Sequence, residues 1–599
     1  MNIGQCKKKS IEWGRFILVA AIFLFLQQFQ LTVCLRPNKT ILFMNLKWVL
    51  LNMAIVSIPF FTLLCFVRRL NVATILTSIL FTLLSLINYH VLAYHGAPFF
   101  AEDIFSIGTA LNVAGGYKYL VNKNTNITIC IFLIEAGLWL ILNYKANWFR
   151  RKGPGKVYAI PLLANTLLVY ILLLSPLTLF PQNLISWSWA KAVPEYGYGI
   201  TLCNSAYSMT HMVSEPEGYN VDTVMAESAT EGNGNRPDII IILNESLYDI
   251  NQYADLPESE ALFQTMDAIA GVIRGNSVCS LIGGGTNNSE YELLLSNSMA
   301  LLELSAPFSA MSMKNVNSIV SYLNGLDYTT VGMHCCNASN YARNRAYKEL
   351  GFDHVVLGPD AFQHQEGNGK RQWLDSGNYQ DMLDWYDSCD DGPRMMYLLT
   401  YQNHGGYEQN EESLDTIHIQ SDQYGDLTDD INEFLSSLEK SVTAFAQLIA
   451  ELNSRDRPVV LLMVGDHAPP FIREMQAREG MNYAQREIAS RTVPYYIWSN
   501  ISLDDTVISY HTTMTDLVPM VLKASGMPTS MYYETILEMN RAVPVRIGSR
   551  YYVDANGTIS EFTKDADYYG LINNYYYMEY NNIMKDDDYN PLWFQITNS

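Results

Sequence analysis

The 599-residue sequence predicts a block of membrane-spanning helices followed by an extracellular α/β domain. The distribution of charge divides the chain into two parts. Residues 1–180 carry 16 basic and 4 acidic side chains, a net charge of +12, so the remainder carries 23 basic and 56 acidic groups, a net charge of −33. In the second part, short β-branched runs alternate with helical stretches, which is typical of a doubly wound parallel sheet.

Five apolar runs in the first part are long enough to cross a bilayer as helices, which takes about 20 residues each. The predicted spans lie near 15–34, 46–67, 71–92, 126–144 and 157–180. The first run follows three lysines and could be a signal peptide, but four further spans favour a retained helix. Residues 1–180 are therefore predicted to form a transmembrane domain.

Basic residues predict the orientation of these spans. Eleven Lys and Arg side chains lie before the first span, between the second and third, and between the fourth and fifth, whereas the opposite short loops hold four, with Lys47 at a span edge. The basic side should face the cytoplasm. The chain is thus expected to be a multi-pass protein of the cell membrane, with its N-terminus cytoplasmic and everything after about residue 181 extracellular.

Composition suggests three further segments. Residues 181–236 are predicted to be a linker, because they include a flexible Gly/Asn-rich stretch, AESATEGNGNRP. Residues 237–530 should form the α/β domain, and the Tyr- and acid-rich residues 531–599 an extension packed on it. The acidic charge argues against nucleic acid as a partner. The cysteines of the outer part show no regular spacing, so no disulfide framework is predicted.

Four apolar runs in the α/β domain predict buried parallel strands. They are PDIIIILNES at 237–246, TTVGMHC at 329–335, RMMYLLTYQNH at 394–404 and RPVVLLMVGDH at 457–467. Helical stretches at 309–326 and 431–454 separate them. Each run ends in a polar, reactive side chain: Glu245, His334, His404, and the pair Asp466 and His467. Because ligands bind beyond the carboxyl ends of parallel strands, these side chains are expected to line one crevice.

Glu245, Asp466 and His467 form a candidate metal-binding set. Two carboxylates, one imidazole and a nearby hydroxyl suit Mn²⁺ or Mg²⁺. Taken alone, Asp466 could equally be the capping residue of a turn. Glu245 follows a strand that contains four isoleucines. It is harder to explain without a partner, because an unpaired buried carboxylate costs free energy.

The stretch GGGTNNSEYELL at 283–294 places one threonine, Thr286, between glycines and an apolar helix. One interpretation is structural: glycine supplies positive φ, and the Thr, Asn or Ser that follows caps the helix. The other is chemical. A threonine hydroxyl held at a metal becomes a nucleophile, and the N-terminus of the following helix would attract an anion such as phosphate. In-line attack of Thr286 on a phosphodiester would then give a phosphothreonine enzyme.

Together these motifs resemble the lipoteichoic acid synthase and phosphoglycerol transferase branch of the alkaline phosphatase/sulfatase superfamily. The resemblance covers five membrane helices, a linker and a sulfatase-like domain. Its marks are LNES at 243–246, GTNNSEYELL at 285–294, HCCNASNYARNRAYKELGFD at 334–353, NHGGY at 403–407, GDH at 465–467 and HTTMTDLVPMVLKASG at 511–526.

The resemblance implies a metal-dependent phosphotransferase. Mn²⁺ (or Mg²⁺) would be held by Glu245, Thr286, Asp466 and His467, and Thr286 would be the nucleophile. His404 would serve as acid, base or hydrogen-bond donor beside the phosphoryl group, and His334, Arg343 and Tyr341 would bind the phosphate or head group. Phosphatidylglycerol or another phospholipid would be the donor, and a membrane glycolipid or cell-envelope glycan the acceptor.

The sequence also departs from the family pattern. Phe-Trp-Asn-Arg is usual where this chain has Asn340-Tyr341-Ala342-Arg343, and Cys335 and Cys336 follow His334 where polar residues are usual. Glycerol is therefore in question as the head group, and phosphoethanolamine transfer is an alternative. A catalytically inert ectodomain is a second alternative. Sulfate ester hydrolysis is disfavoured, because Thr286 stands where arylsulfatases need Cys or Ser followed by a proline motif.

Overall fold

A computed structural model describes most of the chain. The described residues are 3–35, 45–95, 98–108, 123–152, 155–171, 193, 195–209, 212–280, 285–302, 306–364, 373–407, 413–420, 422–547, 551–553, 559–564 and 568–595. They divide into two compact units. Unit 1 comprises residues 1–104 and 118–212, and unit 2 comprises residues 105–117 and 213–599.

Unit 1 is helical. Its helices are α1 (Ile3–Leu35), α2 (Leu46–Val67), α3 (Leu70–His95), α4 (Lys123–Lys145), α5 (Asn147–Arg150), α6 (Gly155–Val169) and α7 (Tyr198–Ser208). Among the described residues, α1 to α4 are long and apolar enough to cross a membrane. They confirm the first four predicted spans. Of the fifth, residues 157–180, the part up to Val169 is the apolar helix α6, and residues 172–180 lie outside the described chain.

Helix α7 lies within the segment that the sequence predicts to be a linker, in its described part. Asn52 of α2 holds the start of this helix: its Nδ2 donates to the carbonyl of Tyr196 over 2.6 Å, and its Oδ1 accepts from the backbone N–H of Ile200 over 3.1 Å. A buried amide in an apolar helix thus satisfies the backbone of a neighbouring helix, which is how polar groups are accommodated where water is excluded.

The described part of unit 2 contains an eight-stranded sheet. Its strands are β1 (Asp238–Asn244), β2 (Val272–Val278), β3 (Thr329–His334), β4 (His354–Leu357), β5 (Arg394–Leu399), β6 (Val459–Gly465), β7 (Thr492–Ser499) and β8 (His511–Thr513). Their order across the sheet is β4-β3-β5-β1-β6-β7-β2-β8. The four predicted strands are confirmed as β1, β3, β5 and β6. They are neighbours, and all their pairings are parallel.

The other four strands were not predicted from the sequence. β4 extends the parallel part beside β3, whereas β7 runs antiparallel to both β6 and β2. β1 and β6 are buried along their whole length, which explains why they show unbroken apolar runs. β2 is only half-buried over its first three residues and carries Arg274, Gly275 and Asn276, so its apolar signal is weak.

The described part of unit 2 also contains twelve α-helices. They are α8 (Pro257–Asp267), α9 (Thr286–Leu295), α10 (Pro307–Ala310), α11 (Ile319–Asn324), α12 (Arg343–Leu350), α13 (Asp375–Ser388), α14 (Thr428–Asn453), α15 (Ile472–Arg478), α16 (Tyr483–Ala489), α17 (Leu517–Ala524), α18 (Met531–Ala542) and α19 (Tyr569–Met584). The helix expected at 431–454 is confirmed as α14. The prediction of one continuous helix at 309–326 is wrong. Helices α10 and α11 are separate, and Asn315 between them has a φ of 65°.

A small antiparallel sheet and α19 lie after residue 531. The sheet consists of β9 (Val545–Ile547), β10 (Tyr551–Val553) and β11 (Ile559–Glu561). The hydroxyl of Tyr575 in α19 donates to the carbonyl of Ser296 over 3.0 Å, and Ser296 immediately follows α9. Tyrosines of this segment therefore contribute buried rings and hydrogen bonds to the helix that begins at Thr286.

Candidate active site

Two adjacent strands deliver the acidic groups of the site. In the pairing of β1 with β6, Asn244 lies beside Gly465, so the next residues, Glu245 and Asp466, leave the sheet side by side. The N–H of Asp466 donates to the carbonyl of Asn244 over 3.2 Å and extends the ladder by one residue. Parallel pairing thus brings together two carboxylates that are more than 200 residues apart in sequence.

His467 joins these carboxylates. Its Nε2 lies 3.2 Å from Asp466 Oδ2 and 3.8 Å from Glu245 Oε1. Its Nδ1 lies 3.1 Å from the carbonyl oxygen of Ala468, and a ring whose Nδ1–H donates to that carbonyl has its Nε2 lone pair available to a metal ion. One ligand atom from each of the three residues lies within 4.8 Å of the others, and all three side chains are buried.

The backbone around these groups is shaped for close approach. Ser246 has a φ of 50°, which is uncommon for a residue other than glycine, and its N–H donates to Asp466 Oδ1 over 2.7 Å. A Cβ at Gly465 would lie 2.1 Å from the carbonyl oxygen of Leu247, so only glycine fits there. Strain of this kind is maintained where the surrounding structure requires it, often at functional sites.

The donor set fits a divalent cation. Burial raises the pKa of Glu245 to about 8, and the nearby Asp466 carboxylate raises it as well, so the acids repel each other without a compensating positive charge. Among the described residues, no group donates a hydrogen bond to Asp466 Oδ2, although this atom is buried. Two carboxylate oxygens and one imidazole nitrogen are suitable ligands for Mn²⁺ or Mg²⁺.

Helix α9, which begins at Thr286, is hydrogen-bonded to this cluster through its first turn. The hydroxyl of Ser289, one turn into the helix, donates to the backbone carbonyl of Asp466 over 2.6 Å. Gly285, with a φ of 88°, occupies the N-cap, and no side chain caps the helix. Thr286 is therefore the first helical residue and not the cap that a purely structural interpretation expects. Its side chain is buried; Gly283 and Gly284 lie outside the described residues.

The two predicted histidines lie at the ends of the neighbouring strands. His334 closes β3 and its Nδ1 lies 3.0 Å from the carbonyl oxygen of Leu399 on β5. His404 follows β5, and its ring stacks on Tyr401 with the centroids 4.7 Å apart. Burial lowers the pKa of His404, which favours the neutral imidazole at physiological pH.

A cysteine that carried no predicted role lies between these histidines. The thiol of Cys336 hydrogen-bonds to Cys335 and to His334, and it is close enough to His404 and to Glu245 to influence their ionisation. Hydrogen bonding from Cys335 lowers the pKa of Cys336 well below its ordinary value, burial opposes this, and His334 lowers it further. Cys336, two residues after His334, thus contributes to the site a thiol with a lowered pKa.

Arg343 is buried and paired. Its Nη2 lies 2.7 Å from Glu290 Oε2, and its Nε donates to the same oxygen over 2.8 Å. The ring of Tyr341 lies 5.1 Å from the guanidinium carbon, and both Tyr341 and Ala342 have positive φ. The structure therefore connects Arg343 to α9 through Glu290. Substrate binding by Arg343 and Tyr341 stays a prediction.

Sequence reasoning missed a buried polar network beneath the strand ends. Asp375, the first residue of α13, accepts from Asn244 Nδ2 over 3.0 Å and from the hydroxyl of Ser441 over 2.7 Å. Asn403 Nδ2 donates to the same Ser441 hydroxyl over 3.0 Å. Through Ser441, Asp375 thus links Asn244, which precedes Glu245, to Asn403, which precedes His404. Nothing local in LDSGNY distinguishes this acid from a helix cap.

Comparison with known proteins agrees with this architecture. Residues 237–527 match the family model Sulfatase. A Rhizobium meliloti protein named for cyclic beta-1,2-glucan modification is 25% identical over 313 residues, which are 48% of this chain and 46% of that protein. The chain therefore spans about half of that relative. An uncharacterized Haemophilus influenzae protein is 22% identical over 446 residues, 70% of this chain and 76% of that protein.

A solved structure shares the fold of unit 2. The Streptococcus pyogenes phosphoglycerol transferase GacH, in complex with sn-glycerol-1-phosphate, superposes with a TM-score of 0.50 at 17% identity. The superposition covers 64% of this chain and 100% of that one. With the parallel strands and the match to the family model, residues 237–527 form a sulfatase-like α/β domain.

Proposed function

We propose that the chain is a membrane-anchored phosphotransferase that moves glycerol phosphate from phosphatidylglycerol to a cell-envelope glycan, through a covalent intermediate on Thr286. The observation that carries the proposal is the convergence of Glu245, Asp466 and His467 within 4.8 Å, beside the helix that begins at Thr286. A structural turn would not need two buried carboxylates beside one buried imidazole.

Glu245, Asp466 and His467, with the Thr286 hydroxyl, would hold one Mn²⁺ or Mg²⁺. Such an ion supplies positive charge that favours ionisation of a nearby hydroxyl and balances charge on a phosphoryl group. Among the described residues, these three make up the one cluster of ligating side chains with this spacing. One metal is therefore proposed and not two.

The first step is attack of Thr286 Oγ on the phosphorus of the phospholipid. The Thr286 hydroxyl loses its proton as the bond from Oγ to phosphorus forms, the bond from phosphorus to the diacylglycerol oxygen breaks, and that oxygen takes up a proton. In the second step an acceptor hydroxyl attacks the phosphothreonine, its proton is released, and Thr286 is regenerated as the alcohol. His404 is suited to accept and return the proton, since burial favours its neutral form.

The N-terminus of α9 supports the same assignment. Positive ends of helix dipoles and free N–H groups attract phosphate. Gly285 lacks a Cβ and caps the helix without a side chain, so no capping side chain competes with an anion for the N–H groups of the first turn. The apolar helices of unit 1 would keep the site at the membrane surface, where phospholipid head groups are concentrated.

Mass analysis of the peptide that contains Thr286 tests the proposal. The full-length protein, in nanodiscs with Mn²⁺, is given either phosphatidylglycerol or phosphatidylethanolamine and then quenched in acid. A glycerophosphoryl adduct on Thr286 is the expected result. An ethanolamine phosphate adduct would instead assign phosphoethanolamine transfer. No adduct with either lipid, together with no bound metal, would favour an inert ectodomain.

A further inference from the structure

The transmembrane helices contain a buried polar cluster that phosphoryl transfer does not use. In one layer, Gln27 of α1 donates from Nε2 to the hydroxyl of Ser78 on α3 over 3.3 Å and to the carboxylate of Glu135 on α4. In a second layer, Gln30 Nε2 donates to Thr82 Oγ1 and to the carbonyl of Thr128, each over 3.0 Å. Each layer joins the same three helices, α1, α3 and α4.

Glu135 lies deep within its span. It is 12 residues after Lys123 and 10 before Lys145, the two ends of α4. At about 1.5 Å per helical residue, the carboxylate is roughly 15–18 Å from either end, too far for its short side chain to reach water. Ionisable groups at this depth are expensive and mark functional sites.

Several buried oxygens of the cluster, the hydroxyl of Thr128 among them, have no hydrogen-bond partner within the described residues. Gln27 Oε1, Gln30 Oε1 and Glu135 Oε2 are buried, and among the described residues none of them accepts a hydrogen bond. Interhelical packing accounts for the amide nitrogens, which already have partners. It leaves these three oxygens, on α1 and α4, without a hydrogen-bond donor, and the hydrocarbon core of a bilayer offers no water to replace one.

The charge of the cluster indicates the charge of the ion that it would bind. The three helices contribute one carboxylate to the two layers, together with amide and hydroxyl oxygens, so a single positive charge neutralises the cluster. A divalent ion would leave a net charge buried in hydrocarbon, at high energetic cost. Hard oxygen donors without sulfur or imidazole suit an alkali-metal cation better than a transition metal.

We propose that α1, α3 and α4 form a binding site for a monovalent alkali-metal cation between the Gln27–Ser78–Glu135 layer and the Gln30–Thr82–Thr128 layer. Oxygens of Gln27, Gln30 and Glu135 are the ligands. The site is independent of the proposed phosphotransfer chemistry, and it makes the membrane helices a ligand-binding module as well as an anchor.

Binding of ²²Na⁺ to the full-length protein in nanodiscs tests the proposal, with choline chloride holding ionic strength constant. Saturable binding is expected, displaced by excess Li⁺ or K⁺ and weakened more than tenfold in Glu135→Gln. This variant keeps the shape and an amide contact to Gln27. Thr62→Val is the matched control, because the Thr62 hydroxyl donates within α2, to the carbonyl of Ile58. This variant should bind ²²Na⁺ as the wild type does.

Labelling with dicyclohexylcarbodiimide, which attacks protonated buried carboxyl groups, provides a second readout. Na⁺ is expected to slow modification of Glu135 in the wild-type protein. If Na⁺, Li⁺ and K⁺ all fail to bind, or if Glu135 is labelled at the same rate with and without them, the carboxyl group holds a proton shared with Gln27 and the proposal is overturned. Undiminished ²²Na⁺ binding by a folded Glu135→Gln variant would overturn it as well.

Discussion

The Arg343 guanidinium and the Glu290 carboxylate form a buried ion pair, with Nη2 2.7 Å from Oε2. Burial alone would lower the pKa of Arg343, but Glu290 beside it holds the pKa above the ordinary value. The hydroxyl of Tyr347 also donates to Glu290, over 2.6 Å. This pair ties α12 to α9, the helix that begins at Thr286, so the arginine positions the candidate nucleophile helix.

Glu290→Gln should destabilise unit 2 by about 3–5 kcal/mol, because it leaves the buried Arg343 charge without its partner. Chemical denaturation of the full-length protein in detergent, followed by tryptophan fluorescence, measures this. The double variant Glu290→Gln/Arg343→Gln should recover part of the loss. As a control, Glu538→Gln breaks an exposed pair with Arg541 and should cost less than about 1 kcal/mol. Equal effects of the buried and exposed variants would refute the structural role of the pair.

Thr286→Ala should reduce head-group transfer at least about a thousandfold and should weaken Mn²⁺-dependent stabilisation without abolishing it, because three of the four proposed ligands remain. Thr286→Ser keeps a hydroxyl and should retain partial activity, since the nucleophilic atom is preserved. Release of labelled diacylglycerol from phosphatidylglycerol vesicles is the assay. Thr400→Ser, which preserves the hydroxyl that accepts from the N–H of Glu245, is the matched control and should stay within a few fold of wild type. Full activity of Thr286→Ala would exclude a phosphothreonine intermediate.

Asp466→Asn should abolish stabilisation by Mn²⁺. At about 100 times its dissociation constant, a ligand that binds only the native state stabilises it by about 2.7 kcal/mol. The wild-type melting temperature should therefore rise on adding Mn²⁺ and fall on chelation, and the variant should show neither change. His418→Gln alters an exposed histidine away from the cluster and should respond as the wild type does. A metal response that survives in Asp466→Asn would contradict the ligand assignment.

Asp375 should make stability pH-dependent in a way that Asp375→Asn removes. Burial raises the pKa of Asp375 from 3.8 to about 6, with Ser441 and Asn244 opposing the rise. A raised carboxyl pKa favours the folded state when the group is protonated. Its contribution is fully present below about pH 4 and is lost as the pH rises through about 6.

The loss amounts to roughly 3 kcal/mol for a shift of about two pKa units. Denaturation of wild type and Asp375→Asn between pH 4 and 7 measures it, and the difference between the two curves isolates this group from other acids. Asp360→Asn, at an exposed position, is the control and should follow the wild-type curve. Parallel curves for wild type and Asp375→Asn would show that Asp375 does not titrate in this range.

Cys336 should be alkylated before Cys335 at pH 7. Hydrogen bonding from Cys335 and the nearby His334 lower the pKa of Cys336, whereas burial raises the pKa of Cys335 well above its ordinary value. The thiolate is the reactive form, so iodoacetamide should modify Cys336 first and inhibit transfer. Peptide mapping identifies the labelled residue. Cys336→Ser should resist this inhibition, and preferential labelling of Cys335 would contradict the arrangement.

Local pattern alone determined the membrane helices α1 to α4 and the strands β1, β3, β5 and β6, because long apolar runs leave few alternatives in either a bilayer or a parallel sheet. It also indicated the polar residues at the strand ends, since the carboxyl ends of parallel strands share one edge. Strands such as β2, half-buried and rich in polar residues, carry too weak a signal to be recognised.

Only the tertiary structure decided which side chains face one another. Glu290 and Arg343 are 53 residues apart, and Asn244 and Asp375 are 131 apart, so no periodicity relates them. Glu135 appeared in the sequence as one acid in an apolar span, and its three-helix surroundings came from packing. Which side chains are buried, and which partners they have, depends on contacts between segments that are distant in sequence. These tertiary contacts, and not local propensity, determine the charge state, backbone strain and reactivity of the residues in a site.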